Sequence, residues 1–343
     1  MKDEASIISR LCRIIPSRVG LASARDLPLG IGDDAAVLRS RPGREWVVST
    51  DAFVEGGHFL AHLHPPESVG FKSLARAASD LAAMGATPRY FLLTLALPAG
   101  RAGEWLSRFA HGMARAARRF GMRLIGGDVS RLSVVAAALT VLGEVPPHRA
   151  LTRSGARPGD ALFVSGRLGA AETGLVLLLR RGARAIARLP RSFALERHLY
   201  PEPRLTLGAW LAARNLTSAA MDISDGLSTD LARLCAASHV GTVIHASNLP
   251  LAREERPISV RRVRAASMLD SRSALTRALH GGEDYELLFT VPRSRVARLP
   301  AHFRGVPLTR IGEIVRGRGI TLLDPRGRRT PLHPRGWDHF ARA

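Results

Sequence analysis

Ala219-Ala220-Met221-Asp222-Ile223-Ser224-Asp225-Gly226-Leu227-Ser228-Thr229-Asp230 joins an apolar run to a helical spacing across an acidic Ser-Asp-Gly turn. Its first five residues read as a strand ending near Asp222. The apolar spacing after the Ser-Asp-Gly turn predicts a helix over 227–237. A turn of this kind offers backbone N–H groups to a phosphate and carboxylates to magnesium. Plain N-capping by Ser224 or Asp225 would explain one of those residues but not Asp222.

Acid recurs in tight turns elsewhere. Gly30-Ile31-Gly32-Asp33-Asp34, Ser49-Thr50-Asp51, Gly126-Gly127-Asp128 and Gly281-Gly282-Glu283-Asp284 repeat the theme. The background is basic, with Lys+Arg 50 against Asp+Glu 29 and a net charge of +21. A basic chain that gathers carboxylates in turns reads as a holder of divalent metal. Magnesium prefers oxygen ligands from one or two carboxylates plus substrate phosphates, so the pattern points to phosphate chemistry.

Outward from these turns the chain alternates strands and helices. Helices are expected over 4–15, 65–84 and 103–120, the last closed by Gly121, and strands over 35–38, 46–50, 90–97, 123–125 and 134–145. Pro146-Pro147 marks a boundary between a first domain, 1–147, and a second, 148–343. The second half gives strands over 161–165, 219–223, 242–245, 285–291, 311–315 and 320–323, with helices over 170–181, 204–214 and 227–237. Both halves mix the two element types, so the class is α/β or α+β. The arginine-rich 253–272 reads as a solvated helical excursion.

Ser49-Thr50-Asp51, at the end of its expected strand, points several oxygens at one spot. Lys72, Arg76 and Asp80 share one helix face by their spacing. An Arg76–Asp80 surface ion pair is the plain reading of that face. The apolar helix end after Asp80 argues instead for a partly buried carboxylate that wants a partner or a metal. Chemistry alone does not single out His58.

Several classes are excluded. Gly30-Ile31-Gly32-Asp33-Asp34-Ala35 fits a dinucleotide fingerprint only in letters: no strand precedes it, and its aspartates would repel a bare pyrophosphate. The P-loop, the protein-kinase signature set and GxSxG are absent. Cys12 and Cys235 have no CxxC partner, and Cys12 falls on the apolar side of a helix. No zinc or aromatic-basic pattern supports specific nucleic-acid recognition. The first residues lack a signal-peptide pattern, and the longest apolar run, 134–142, is too short for a bilayer. A cytoplasmic chain without membrane contact is expected.

Read together and in order, the motifs carry a resemblance. Ile31-Gly32-Asp33-Asp34-Ala35, Ser49-Thr50-Asp51, His58-Phe59, Ser79-Asp80-Leu81-Ala82-Ala83-Met84-Gly85-Ala86, Gly126-Gly127-Asp128, Leu151-Thr152-Arg153-Ser154-Gly155-Ala156, Asp222-Ile223-Ser224-Asp225-Gly226-Leu227, Gly282-Glu283-Asp284-Tyr285-Glu286-Leu287 and Gly336-Trp337-Asp338-His339-Phe340 together resemble the thiamine-monophosphate kinase family. The resemblance covers essentially the whole chain. It implies ATP-dependent phosphorylation of thiamine monophosphate by direct in-line transfer, with several Mg2+ ions and no covalent nucleophile. It also implies the two-domain fold of aminoimidazole-ribotide synthetase relatives and a homodimer joined through N-terminal sheets. By the family pattern Asp34, Ser49, Thr50, Asp51, Asp80, Asp128, Asp222 and Asp225 would hold magnesium. Gly127, Asp128, Arg153 and Ser224 would meet ATP, and His58, Glu283 and Trp337 the thiamine phosphate. Val129 departs from the threonine usual after Gly-Gly-Asp.

Overall fold

A computed structural model describes residues 4–16, 26–31, 35–186, 192–252 and 271–337. Asp34 and most of the arginine-rich stretch lie outside the described residues. In the first half the elements run α1 (Glu4–Ile14), β1 (Glu45–Val54), α2 (Pro66–Ala83), β2 (Thr87–Leu97), α3 (Glu104–Phe120), β3 (Arg123–Arg131) and β4 (Ala136–Val145). The four strands form one sheet in the order β1-β4-β2-β3, antiparallel except for β2 against β3.

Alternation along the strands sorts residues between two faces. Phe53, Phe91, Leu93, Leu95, Leu139 and Val141 are buried in one core cluster with the residues of α2 and α3. The opposite face is open: it carries Thr50, Thr94 and Val48, which is 60% exposed. Helices α2 and α3 cross at glycines. A Cβ on Gly112 would lie 1.9 Å from the Glu67 carbonyl oxygen, and one on Gly70 would lie 1.9 Å from that of Phe109. Neither contact involves a flexible atom that could yield. Gly112→Ala is therefore expected to cost about 3 kcal/mol by forcing the helices apart, read as a lower denaturant midpoint.

The second half comprises β5 (Ala161–Ser165), α4 (Ala170–Ile186), α5 (Phe193–Leu199), α6 (Leu205–Arg214), β6 (Ala219–Ile223), α7 (Leu227–Ser238), β7 (Gly241–His245), α8 (Ser271–His280), β8 (Glu286–Val291), β9 (His302–Phe303), β10 (Val306–Val315), β11 (Gly319–Leu323) and β12 (Arg329–Pro331). Its sheet runs β12-β11-β7-β10-β5-β8-β6, with β9 pairing on β10. Strands β5, β6 and β8 are buried along their whole length. Helix α2 is covered on both sides. Its Leu74 and Leu81 share one core cluster with Phe91 of the first sheet and with Leu211, Ala220 and Phe289 of the second half. The helix thus forms a wall common to both halves, and side chains at its exposed edge face whatever lies between them.

Several expectations need correction. The stretch 35–38 forms a single bridge, Leu29 with Val37, instead of a strand. Helices α5 and α8 were not anticipated. β1 continues to Val54, so Ser49-Thr50-Asp51 lies inside the strand, and β3 runs through Gly126-Gly127-Asp128. Pairing explains both differences. Asp51 sits opposite Leu139 and Asp128 beside Thr94, and sheet registry holds these residues extended despite their turn-like composition.

Candidate active site

A cleft of ≈ 490 Å³ opens between the halves. Thr50, Asp51, His58, Arg76, Asp80, Arg153, Asp222, Ser224, Asp225, Glu283 and Trp337 all line it. The acidic centre is built from α2 and the end of β6. Ser49 Oγ donates to Asp80 Oδ2 at 2.5 Å, and Ser79 Oγ donates to Asp222 Oδ2 at 2.7 Å. Burial pushes the Asp222 carboxyl up to about 7, and the neighbouring charge of Asp80 adds to the effect. Asp80 is raised as well, by burial and by the Asp51 charge, against the opposing hydrogen bond from Ser49. Neighbouring carboxyls pushed toward their protonated forms mark a site short of positive charge.

Asp80 is partly buried, as the apolar helix end after it implied, and the plain alternative of an Arg76–Asp80 surface pair does not form. Arg76 instead grips both oxygens of Asp51, Nε to Oδ2 at 2.6 Å and Nη2 to Oδ1 at 2.9 Å. Lys72, one turn earlier, reaches Glu283 Oε2 at 2.7 Å. The shared face read from the spacing is real, but its partners come from distant segments.

The turn after β6 also differs from its sequence reading. Asp230 Oδ2 accepts from the backbone N–H groups of Ser224 and Asp225, each at 3.0 Å. Those two donors are therefore taken by a side chain and are not free for a phosphate, as the turn had implied. Helix α7 starts at Gly226 without a side-chain cap, so Ser224 and Asp225 are not caps either. Arg233 Nη1 ties the assembly together, at 2.5 Å from Asp225 Oδ2 and 2.9 Å from Asp230 Oδ1. Over this turn lies the C-terminal strap. Trp337 N donates to the Asp225 carbonyl at 3.0 Å, and a Cβ on Gly336 would come within 1.8 Å of the same oxygen. Only glycine there lets the strap lie flat and hold Trp337, half exposed, at the cleft.

The opposite wall is the Gly281-Gly282-Glu283-Asp284-Tyr285 segment. Glu283 and Tyr285 adopt φ of 68° and 49°, a left-handed backbone that non-glycine residues avoid. Pairing enforces it: Glu283 N donates to Ser224 O and Tyr285 N to Ile223 O. Asp284 faces away and accepts from Gly169 N at 2.6 Å and Ala171 N at 3.1 Å, at the start of α4. Next to Glu283 lies His198 of α5, its Nδ1 3.4 Å from Glu283 Oε2. Its Nε2 is 3.0 Å from Nε2 of His64, so one ring donates to the other. Burial, helped by the Lys72 charge, pushes His64 down to about 4 and His198 well below its ordinary value.

Not every residue expected at the site converges. Ser49 touches the centre through Asp80. Thr50, although it lines the cleft, pairs with Thr140 across the sheet, Oγ1 to Oγ1 at 3.3 Å. Asp128 is exposed beside Thr94 on the open face, whereas Val129 packs against the core. Gly127 and Asp128 are not among the residues lining this cleft. Lys72, His64, His198, Asp230 and Arg233 were missed as site residues. Lys72 could have been flagged by its place one turn before Arg76; nothing local marks the histidines.

An oxygen-rich set built from carboxylates and serine hydroxyls suits a hard cation such as magnesium. Among the described residues no group of three or more His, Cys, Asp or Glu converges well enough to hold an ion unaided. Asp51 and Asp225 are each turned to an arginine. The donor set therefore fits magnesium only where substrate phosphates complete the coordination, which is the way that ion is commonly held.

Comparison with known proteins bears on this geometry. Residues 32–145 match the N-terminal domain model of AIR synthase related proteins, and residues 157–324 match the C-terminal one. The thiamine-monophosphate kinase of Escherichia coli K12 is 38% identical over 323 residues, 93% of this chain and 94% of the relative. The crystal structure of the thiamine-monophosphate kinase of Stenotrophomonas maltophilia superposes with a TM-score of 0.77 at 35% identity, over 92% of this chain and 95% of the other. A structure described as AaThiL complexed with AMPPCP and TMP gives a TM-score of 0.72 at 32% identity, over 90% and 92%.

Proposed function

Because the chain belongs to the AIR synthase related family, and within it to the thiamine-monophosphate kinases, we infer that it transfers a phosphoryl group from ATP to thiamine monophosphate and yields thiamine diphosphate. The observation that carries the reading is one cleft that gathers Asp80 and Asp222 from different halves, with Arg153 beside them. A kinase whose acceptor is a phosphate must bring two anions together. Repulsion between such charges is large wherever water is excluded.

Magnesium would be held by Asp51, Asp80, Asp222 and Asp225 with Ser49 and, by the family pattern, by Asp34, Thr50 and Asp128, and when bound it would supply positive charge that offsets the repulsion of the phosphate anions. The chain's own part is binding and orientation. Arg153 meets the nucleotide phosphates, and Ser224 meets ATP through its side chain, since Asp230 holds its backbone N–H. Gly127 and Asp128 are proposed to meet ATP along the edge strand β3. His58, Glu283 and Trp337 hold the acceptor. Trp337 presents an exposed aromatic face, which suits a cationic heteroaromatic ring. An oxygen of the acceptor's phosphate attacks the γ-phosphorus directly while the bond from that phosphorus to the β,γ-bridging oxygen breaks and ADP leaves, and no side chain becomes phosphorylated.

The chain is proposed to divide at 147/148 and to work in the cytoplasm. Among the described residues no helix is long and apolar enough to cross a membrane. A homodimer through the N-terminal sheets would cover the open face that carries Val48.

Purified protein with ATP, magnesium and thiamine monophosphate is expected to form thiamine diphosphate, followed by chromatography of the product. Free thiamine lacks the phosphate around which the site is built. Its kcat/KM is expected to be lower by roughly a hundredfold or more. Equal rates with the two acceptors would refute the phosphate-acceptor reading.

A further inference from the structure

Arginine has displaced lysine nearly everywhere in this chain: of 50 basic residues only Lys2 and Lys72 are lysine. Lys72 is 1% exposed, inside α2, with its ammonium on Glu283 Oε2. At four other carboxylates arginine makes a two-point contact, whereas Arg89 on Glu144 and Arg233 on Asp225 and Asp230 touch one oxygen of each partner. Arg76 on Asp51, Arg101 on Glu55, Arg108 on Glu67 and Arg204 on Glu286 each grip both carboxylate oxygens. A guanidinium is a planar fork that favours such two-point contact, whereas an ammonium is a point charge that can engage one oxygen.

Glu283 is the carboxylate that meets a lysine instead, and the 3.4 Å approach of His198 falls on the same oxygen, Oε2. The backbone at Glu283 is also fixed, in a left-handed conformation, by its bond to Ser224 O. Glu283 lines the cleft.

We propose that Lys72 is a positioning residue for the acceptor: it anchors Glu283 through one oxygen, so that the other remains to meet thiamine monophosphate. The proposal rests on the kinase reading for its ligand. It accounts for a buried lysine in a chain that otherwise writes arginine, because a lysine engages one oxygen only, whereas an arginine can close both, as Arg76 does on Asp51 and Arg204 on Glu286.

Steady-state kinetics of Lys72→Arg test it, with Lys72→Met as the charge-free companion and both repeated in a Glu283→Gln background. Lys72→Arg is expected to raise KM for thiamine monophosphate at least tenfold, with kcat within threefold and KM for ATP within twofold of wild type. In the Glu283→Gln background the same change is expected to move KM less than twofold, because no carboxylate remains to be gripped. A wild-type KM in Lys72→Arg would overturn the proposal, and so would an equal rise in both backgrounds or a matching rise for ATP. If Lys72→Arg does not fold, Lys72→Met carries the same comparison. Should the wild type fail to phosphorylate thiamine monophosphate, it is the kinase reading that fails. The anchor is then read from melting temperatures. Non-additive shifts for Lys72→Met and Glu283→Gln support it, and additive shifts overturn it.

Discussion

Asp222→Asn is expected to lower kcat for thiamine monophosphate by roughly a thousandfold while making the metal-free protein more stable at pH 8. The two effects have one cause. Asp222 is buried against Asp80, and its carboxyl is pushed from 3.8 up to about 7. The folded chain holds that proton more tightly than the unfolded chain does. Stability is therefore lost as pH rises from the unfolded value toward about 7, and it stays lost above that. Asparagine never ionises, so the variant escapes the decline. Its advantage at pH 8 is on the order of a few kcal/mol and fades toward pH 4. Magnesium should raise the melting temperature of the wild type at pH 8 by binding only the folded state, and should do little for the variant. Near-normal turnover of Asp222→Asn at saturating magnesium would remove Asp222 from the metal set. A variant less stable than wild type at pH 8 would contradict the buried-charge account.

How far the sequence reveals this site depends on the range of the interactions. The β6–turn–α7 unit is legible because its signals are local: an apolar strand, a Ser-Asp-Gly turn and helical spacing follow one another. The helix that carries Lys72, Arg76 and Asp80 is legible for the same reason. Partner choice is not. Spacing places Arg76 near Asp80, but the sheet brings Asp51 within 2.6 Å of the guanidinium and the arginine turns there. Glu283 lies 211 residues from Lys72, and no pattern in either segment announces the pair. The role of Asp230 is hidden in another way. Its side chain folds back on its own turn and takes the N–H groups that the turn by itself offers to a ligand. Strand lengths fail where glycine or acid sits in a paired register, as at Asp128. The order of weak motifs along the chain carries what no single motif does, because the family pattern already contains the long-range geometry.

Asp51→Asn is expected to lose turnover as severely as Asp222→Asn, again roughly a thousandfold, yet to move stability in the opposite direction. Asp51 already has a cation, the two-point contact with Arg76. Arg76 is only 14% exposed, and it also lies over the Phe53 ring, 5.4 Å from the centroid. Removing the Asp51 charge leaves that guanidinium half-paired in a site too poor in water to solvate it. With Asp51 itself partly solvated, the cost is about 2 kcal/mol, visible as a lower denaturant midpoint. A second substitution separates the two roles of the carboxylate. Asp51→Asn combined with Arg76→Met removes both charges and should recover most of the lost stability, because no unpaired ion remains. Turnover should stay lost, since the oxygen ligand is still missing. If turnover returned with stability in the double variant, Asp51 would serve only to neutralise Arg76. The magnesium set would then have to be drawn around Asp80 and Asp222 without it.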